Sequence, residues 1–365
     1  MQYYSIGDQA IDQLKQQLID DQVKALFLVC GSHSYSSSGA QALLDPFFEE
    51  RHIHVDMYIA HGPNPKEEDA HKGALLFNQS VAKTILAVGG GSCIDTAKLI
   101  KHFSNKPEAI LIAIPTTAGT GSEATPFAVM YVDGVKKSVD SSALLPNSAY
   151  IYPPFTYGNS PYLTACTGFD ALAQAIEAYW NIHSTPESDE YALKAMGLLR
   201  ETLPLLLQNP SESRPDTPLL RSRLADGAYW AGRAIAISRT TAPHAFSYYL
   251  TSRHGYPHGH AVAATFPFFY EFNTQCPAED YLGDDFELYQ DKMEMMKLIL
   301  ALPNAAAFDF FLNLIGLTPF DTSTIDWADY FSHINMQRLK NNPRRLNDGT
   351  TEQLQRYLDL RFKLQ

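Results

Sequence analysis

Four side chains in the second half of the chain have the types and spacing of a metal site. Asp170 and Gln174 lie four residues apart in the segment DALAQAIEAYW, so a helix would place both on one face about one turn apart. His244 and His258 belong to a later segment, APHAFSYYLTSRHGYPHGHA, and their imidazoles can converge on the same point. One carboxylate, one amide oxygen and two imidazoles suit Fe(II) or Zn(II). A lone histidine is more often structural, which is the alternative for each imidazole taken singly, so this set is a candidate for one divalent-metal site.

A glycine-rich turn earlier in the chain has the pattern of a phosphate-binding loop. The apolar run TILAV leads into Gly89, Gly90, Gly91 and Ser92, and then into a helix-like segment that contains Asp95. Glycine lets a backbone approach a pyrophosphate closely, and the N–H groups of a helix N-terminus face the anion. The spacing matches neither GxGxxG nor GxxxxGK[ST]. The turn predicts an anion cradle, with an ordinary strand-to-helix turn as the alternative.

A second loop of the same kind follows the next apolar run. The run AILIAIP ends in TTAGTGSE, which supplies Thr116, Thr117, Thr120 and Ser122. Ligands of parallel sheets bind at the carboxyl ends of the strands. Two such loops in succession predict a nucleotide site.

The elements that must position these residues change in character in mid-chain. Between residues 24 and 114 the apolar runs KALFLVCG, HIHVDMYIA, VAKTILAVGGG and AILIAIPTT alternate with helix-length segments, which is typical of parallel strands buried on both faces. After YIYPPFTYGNSP, apolar residues recur at spacings of three and four, which predicts helices. We therefore expect an α/β nucleotide-binding domain over residues 1–157 and an all-α metal- and substrate-binding domain over 158–365. The last helix should be capped near residues 347–351.

Composition excludes several classes of partner. The 28 Lys+Arg residues are outnumbered by 40 Asp+Glu, and a net charge of −12 disfavours nucleic acids and anionic membranes. The N-terminus lacks a signal-peptide pattern, and no apolar run approaches the roughly 18 residues that span a bilayer. The four cysteines are far apart and form no CxxC pair, as expected of reduced thiols in a cytoplasmic protein; they are Cys30, Cys93, Cys166 and Cys276.

Several long motifs, in the same order, resemble the iron-containing, or group III, alcohol dehydrogenases, whose fold is shared with dehydroquinate synthase and glycerol dehydrogenase. The motifs are GGGSCIDTAK, IPTTAGTGSE, FDALAQAIEAY and PHGHA, and the similarity runs from the PNP at residues 63–65 to QRLKNNPRRL near the C-terminus. The resemblance implies a divalent metal in the cleft between two domains. It also implies hydride transfer between a nicotinamide and a small aldehyde or alcohol, with the metal as Lewis acid. Helical domains of this family often make dimer contacts, and we expect a homodimer.

The sequence departs from the family pattern at two positions. The family's metal helix normally reads Asp-x-x-x-His, whereas position 174 is Gln, a neutral and weaker ligand. A His implicated in proton transfer commonly follows His244 by four residues, whereas position 248 is Tyr. The hydroxyl of Tyr248 can pass a proton, although an ordinary phenol has a pKa of about 10; the alternative is an aromatic wall of the substrate pocket. Tyr248 and His254 are our candidate catalytic residues.

The end of the first predicted strand bears on the choice of cofactor. NAD-preferring relatives carry an Asp there, whereas this chain reads VCGSHSY, without an acidic side chain. Gly31 and Ser32 leave space and donors for a 2′-phosphate, and His33 adds positive character. We expect NADP(H) to be preferred over NAD(H), the alternative being that either cofactor is accepted.

The identity of the substrate depends on finer resemblances. The segments DALAQAIEAYW and SRTTAPHAFSYYLTSRHGYPHGHA are similar to the branch of the family assigned as phosphonoacetaldehyde reductases, or hydroxyethylphosphonate dehydrogenases. A phosphonate needs local cations in an acidic protein, and Arg239, Arg253 and His254 flank the predicted metal histidines. The alternative for each is a solvated helix end or a structural salt bridge.

Three other functions remain open. A general short-chain alcohol or aldehyde dehydrogenase would have the same site. A lyase of the dehydroquinate synthase kind would need several Lys and Arg side chains for a carboxylate and a phosphate, and the TTAGTGSE loop fits the dehydrogenases better. A non-catalytic nucleotide-binding protein is compatible with the replacements at Gln174 and Tyr248, but the retention of Asp170, His244 and His258 argues against it.

Overall fold

The chain forms two units, one α/β and one helical. A computed structural model describes residues 2–62, 64–208, 215–319 and 321–363. Within them, the first unit contains residues 2–160 and 215–232, and the second contains residues 161–208 and 233–363. The expected boundary after residue 157 differs from this division, because the segment 215–232 returns to the first unit after the second has begun.

A parallel sheet forms the centre of the first unit. In the described part of the chain, six strands lie in the order β1-β8-β5-β4-β2-β3 and every pairing is parallel. The four predicted apolar runs are confirmed as β2, β3, β4 and β5, whereas the short strands β1 and β8 were not predicted, nor was the antiparallel hairpin β6–β7. The strands are β1 (Tyr3–Ile6), β2 (Ala25–Gly31), β3 (His54–Ala60), β4 (Thr84–Gly89), β5 (Ile110–Pro115), β6 (Phe127–Val132), β7 (Val135–Asp140) and β8 (Ser148–Ile151).

Both faces of this sheet are buried, which explains the continuous apolar runs. Along β2, Leu26 and Leu28 pack into one core cluster and Phe27 and Val29 into another, as the period of two in a strand requires. Helices cover the two faces: α1 (Ala10–Asp20), α2 (Ser34–Ser37), α3 (Ala40–Glu50), α4 (Glu67–Gln79) and α5 (Gly91–Phe103).

The second unit is helical, as predicted from the spacing of its apolar residues. Its helices are α6 (Pro161–Trp180), α7 (Pro186–Leu207), the end of α8 (Thr217–Ser238), α9 (Ala242–Arg253), α10 (His258–Thr274), α11 (Phe286–Leu300), α12 (Ala305–Leu314), α13 (Trp327–Ser332), α14 (Met336–Leu339) and α15 (Asp348–Lys363). The predicted cap of the last helix is present, since Asn347 Oδ1 accepts a hydrogen bond from the Thr350 amide at 3.1 Å. Short 3₁₀ turns complete the two units: Ser122–Ala124, Ser142–Leu144, Pro153–Thr156 and Ala278–Asp280.

One apolar stretch differs from the sequence expectation about membranes. Among the described residues, Phe286–Leu314 is long and apolar enough to cross a membrane by length and composition. The stretch comprises two helices, α11 and α12, because α11 ends at Leu300 and the next residue, Ala301, has a φ of 50°. A single stretch of this kind is weak evidence, since core helices of soluble proteins have the same composition.

Candidate functional site

Helix α6 carries three polar side chains on one buried face. Asp170, Gln174 and Glu177 are at most 5% exposed, although the rest of this stretch is apolar. Spacings of four and three residues place them one above the other along the helix. Burial of a carboxylate is costly unless polar groups satisfy it, so these residues need partners from other elements.

Two histidines from different helices lie beside Asp170. His244 lies in the first turn of α9 and His258 is the first residue of α10. Nε2 of His244 lies 3.2 Å from Asp170 Oδ1, and Nε2 of His258 lies 3.9 Å from the same oxygen. One potential ligand atom from each of the three residues lies within 4.8 Å of the others. The predicted convergence of Asp170, His244 and His258 is therefore present.

A glycine allows α10 to approach α6 closely enough for this arrangement. A Cβ atom on Gly259 would overlap the carbonyl oxygen of Cys166 and lie 2.7 Å from its carbonyl carbon. The same Cβ would lie 3.2 Å from the Cβ of Asp170. Only glycine fits this contact, which brings the adjacent His258 beside Asp170.

Glu177 is a residue of this site that the sequence analysis missed. Its Oε2 accepts a hydrogen bond from Nδ1 of His244, while Nε2 of the same ring faces Asp170. Burial alone would lower the pKa of His244, but the carboxylates of Glu177 and Asp170 raise that pKa to about 9. The sequence signal that could have identified Glu177 is its spacing from Asp170 and Gln174, which places all three on one helix face.

The donor set fits a divalent metal ion. A carboxylate and two imidazoles that converge from three helices match the ligand preferences of Fe(II) and Zn(II). Gln174 is one turn from Asp170, and its Nε2 donates to Asp170 Oδ2 at 3.2 Å. Asp170, His244 and His258 would hold the ion, and Gln174 lies where its amide can orient Asp170 or join them.

The other predicted residues of the second unit lie along α9 or at the end of α8. Tyr248 is half-buried and lies one turn after His244 on the same face of α9. Arg253, at the end of α9, has its Nε 3.9 Å from Asp329, and the ring of His254 lies 5.2 Å from that of Tyr249. At a rise of about 1.5 Å per residue, Arg253 and His254 lie roughly 14–15 Å from His244 along the helix axis, so α9 does not bring them into the metal cluster.

Arg239 ends α8 in an unusual backbone conformation. Its φ of 73° lies in the left-handed region, where the backbone of any residue other than glycine is strained. Its guanidinium donates to the carbonyl oxygens of Ile235, at 3.3 Å, and Ala236. Arg239 therefore caps the C-terminus of α8 while remaining close in sequence to the histidine of α9.

In the first unit, the two predicted phosphate loops lie against each other. A Cβ atom on Gly91 would lie 2.7 Å from Cγ2 of Thr120 and 2.9 Å from its Cβ. The Thr116 amide donates to the carbonyl oxygen of Gly89 at 3.0 Å, and the space beside Gly90 is bordered by Thr117. Gly90, the N-cap residue of α5, has no side chain that could cap the helix. Backbone N–H groups at a helix start of this kind can bind an anion.

Asp95 and Ser122 join the two loops by hydrogen bonds. Ser122 Oγ donates to Asp95 Oδ1 at 2.9 Å, and the Val129 amide donates to Asp95 Oδ2 at 2.9 Å. Burial raises the pKa of Asp95, while Lys98, 3.9 Å away, opposes that rise. The carboxylate of Asp95 thus positions the second loop and β6, whereas Ser92 is the second residue of α5, beside the first loop.

The end of β2 lies at the same edge of the sheet as these loops. Cys30 pairs in parallel with Val88, so Gly31 and the glycines that follow Val88 leave the sheet side by side. Ser32 and His33 are exposed there. A 2′-phosphate recognition site would need groups at this edge.

Comparison with known proteins shows consistent similarity over most of the chain. Residues 2–153 match the family model described as "Iron-containing alcohol dehydrogenase", and residues 164–309 match "Fe-containing alcohol dehydrogenase family, C-terminal". A phosphonoacetaldehyde reductase of Streptomyces viridochromogenes is 32% identical over 298 residues, 73% of each chain. Alcohol dehydrogenase 4 of Saccharomyces cerevisiae is 28% identical over 76% of each chain. The crystal structure of a sulfoacetaldehyde reductase from Bifidobacterium kashiwanohense in complex with NAD⁺ has a TM-score of 0.81 and 25% identity, over 98% of this chain and 96% of the other.

Proposed function

Because this chain belongs to the iron-containing alcohol dehydrogenase family, we propose that it reduces a small aldehyde to a primary alcohol with a nicotinamide cofactor and one divalent metal ion. The observation that carries the proposal is the convergence of Asp170, His244 and His258 within 4.8 Å of one another. A nucleotide-binding protein without metal chemistry would gain nothing from burying a carboxylate against two imidazoles, because burial of such groups is costly.

The side chains of this protein have three tasks in the reaction. When bound, the nicotinamide supplies the hydride and the divalent ion polarises the carbonyl oxygen of the aldehyde. Asp170, His244 and His258 hold the ion, and the backbone of residues 89–92 and 116–122 holds the cofactor phosphates. A proton must also reach the product oxygen. The hydroxyl of Tyr248, one turn from His244, is our candidate donor at that atom.

NADPH is the proposed reductant. The exposed Ser32 and His33 at the end of β2 provide a hydroxyl and an imidazole where a 2′-phosphate would lie, and the segment from residue 29 to residue 38 contains no carboxylate to repel it. Cells usually keep NADPH reduced, so this preference favours reduction of the aldehyde.

The proposed substrate is an acetaldehyde that carries a phosphonate group. Two relatives support this class, since one is named a phosphonoacetaldehyde reductase and another a sulfoacetaldehyde reductase, and both names describe an aldehyde beside an anionic group. Arg239 is the cation we propose for the anion, because its half-buried guanidinium has the fork of N–H donors that suits a phosphonate. Arg253 is more exposed and lies farther along α9 from His244.

Two further properties of the protein are proposals. We propose that the protein is cytoplasmic and that it forms a homodimer. Light scattering on the purified protein tests the second property, and a monomer at micromolar concentration would contradict it.

The proposal is tested by following NADPH oxidation with metal-stripped protein, before and after addition of Fe(II) or Zn(II). The aldehydes should include phosphonoacetaldehyde and uncharged aldehydes of similar size. Metal-dependent turnover with a strong preference for the phosphonate supports the whole proposal. Turnover of the uncharged aldehydes alone keeps the reaction and rejects the substrate, and cofactor binding without any turnover rejects both.

The role of Arg239 is tested separately with Arg239→Gln. Glutamine keeps an amide donor for the carbonyl oxygens of Ile235 and Ala236 but removes the charge. We expect KM for phosphonoacetaldehyde to rise at least about tenfold, equivalent to about 1.4 kcal/mol, with KM for acetaldehyde unchanged. Arg253→Gln is the matched control and should alter neither value. An equal effect of Arg239→Gln on both aldehydes contradicts a substrate contact.

A further inference from the structure

Glu177 is a buried carboxylate that the proposed reaction does not use directly. Its exposed fraction is 0%, and the groups that donate hydrogen bonds to its carboxylate come from the start of α9. We propose that Glu177 is a positioning residue that fixes the ring of His244 so that Nε2 is the metal-binding nitrogen. The inference rests on the proposed metal-dependent function and deepens it.

The two oxygens of Glu177 have different partners. Oε2 accepts a hydrogen bond from Nδ1 of His244, so the neutral ring that can bind a metal keeps its proton on that nitrogen. The opposite nitrogen, Nε2, then faces Asp170 Oδ1 at 3.2 Å, inside the group that includes His258. A carboxylate behind a ligating histidine both orients the ring and makes the ligand nitrogen more basic.

The other oxygen holds the beginning of α9. Oε1 of Glu177 accepts hydrogen bonds from the amide of Thr241 at 2.8 Å and from its hydroxyl at 2.9 Å. The indole N–H of Trp180 donates in turn to the hydroxyl of Thr241 at 2.8 Å. The amide of His244 lies 3.4 Å from the same oxygen. Glu177 therefore fixes the helix that carries His244 as well as the ring itself.

Glutamine at position 177 separates these two tasks. In Glu177→Gln, the amide oxygen can still accept from Thr241 and cap α9. The amide nitrogen replaces Oε2 and is a donor, so it cannot accept the Nδ1 proton of His244. The ring must then rotate or place its proton on Nε2, which removes the lone pair that a metal needs.

The test measures Zn²⁺ binding to wild-type protein and Glu177→Gln by competition with a chromogenic chelator, together with thermal unfolding of the metal-free proteins. We expect the Kd for Zn²⁺ to rise about 10- to 100-fold in Glu177→Gln. The unfolding temperature of the metal-free variant should stay close to that of metal-free wild type. Thr241→Ala is the matched control. This substitution removes the hydroxyl that bonds Glu177 and Trp180 but keeps the amide bond by which Glu177 holds α9, so it should lower the unfolding temperature without changing Zn²⁺ affinity.

A second measurement does not depend on the folding of a variant. Nitrogen-15 spectra of the histidine rings in Zn²⁺-loaded wild-type protein should show the His244 proton on Nδ1 and the metal on Nε2. The reverse pattern, or equal Zn²⁺ affinity of a folded Glu177→Gln, overturns the inference and leaves the proposed function standing. Wild-type protein that binds neither Zn²⁺ nor Fe(II) would overturn the metal-dependent function and the inference together.

Discussion

Gly259 lies against the backbone carbonyl of Cys166, with no room between them for a side chain. A Cβ atom at position 259 would overlap that oxygen and lie 2.7 Å from the carbonyl carbon. Backbone atoms in the middle of α6 cannot move aside as the end of a flexible side chain can. The contact sets the distance at which α10 begins beside α6, and it places His258 Nε2 3.9 Å from Asp170 Oδ1.

We expect Gly259→Ala to lose metal binding and stability together. Overpacking typically costs about 1–3 kcal/mol, and overlap with backbone places this substitution at the upper end. Unfolding in denaturant and Zn²⁺ titration measure the two effects. Gly197→Ala is the control, because nothing lies within 4 Å of a Cβ there and alanine in a helix should stabilise by about 0.5–1 kcal/mol. Unchanged Zn²⁺ affinity in Gly259→Ala would contradict this account of His258.

Substitutions of Gln174 measure how a glutamine in place of the family's histidine affects metal affinity. We expect Gln174→His to tighten Zn²⁺ binding at least about tenfold, because an imidazole is a stronger ligand than a neutral amide. Gln174→Ala should weaken Zn²⁺ binding less than Asp170→Ala does if the amide mainly orients Asp170, to which its Nε2 donates at 3.2 Å. Chelator competition measures both values. A loss in Gln174→Ala as large as that of Asp170→Ala would instead identify Gln174 as a full ligand.

The ligands of the site could be predicted from sequence, but their support could not. Asp170, His244 and His258 stood out because their types and motif positions indicate metal binding. Glu177 lies in a segment whose apolar spacing predicts only a helix, and its role depends on where α9 begins in space. The need for glycine at 259 likewise arises from a contact with α6 that is ninety-three residues away in the chain.

The fold likewise has parts that the sequence predicts and parts that it does not. Strands β2 to β5 were recognised because burial on both faces demands continuous apolar runs. Strands β1 and β8 have four residues each, too few for a periodic pattern, and they are held by pairing with each other over Tyr3–Ile6 and Ser148–Ile151. The assignment of 215–232 to the first unit was also missed. Gly121, with a φ of 63°, packs against Gly232 at a contact that composition does not reveal.

The two glycines at the start of α5 should differ in what they do. Gly90→Ala fits the folded chain, because its Cβ would lie 3.4 Å from the Thr117 hydroxyl, whereas Gly91→Ala would overlap Thr120. We expect Gly91→Ala to lower the unfolding temperature without cofactor. Gly90→Ala should fold normally and bind NADPH at least about tenfold more weakly, because a Cβ keeps the backbone from the pyrophosphate. Fluorescence titration of NADPH checks this, and normal affinity in Gly90→Ala contradicts the cradle.

Ser32 provides a test of cofactor preference. We expect Ser32→Asp to lower the ratio of kcat/KM for NADPH to that for NADH at least about tenfold, because a carboxylate at the end of β2 repels the 2′-phosphate. The effect should weaken with added salt, since Ser32 is exposed. Ser32→Asn is the neutral control and should leave the ratio near that of wild type. A similar fall in both variants would place the phosphate elsewhere.

Glu123 gives the α/β unit a stability that depends on pH. Its side chain is buried beside the second phosphate loop, and burial raises its pKa to about 7, with Asp95 adding to the rise and Lys98 opposing it. Between about pH 4.5 and pH 7, Glu123 of the folded chain therefore keeps a proton that the unfolded chain has released, because the pKa of an ordinary glutamate is 4.5. Stability contributed by the neutral carboxyl is complete below the unfolded value and is lost as the pH rises towards 7.

We expect Glu123→Gln to remove this loss. Glutamine stays neutral, so the variant should gain stability over wild type as the pH rises from about 4.5 to about 7, by on the order of 3 kcal/mol at about 1.36 kcal/mol per pKa unit. Denaturant unfolding at several pH values in this range measures the difference. Above this range burial also lowers the pKa of Lys98 to about 8, so measurements there would mix two groups of opposite sign. A difference between variant and wild type that is constant with pH would mean that Glu123 is charged in the folded protein throughout, with Lys98 as its counter-ion.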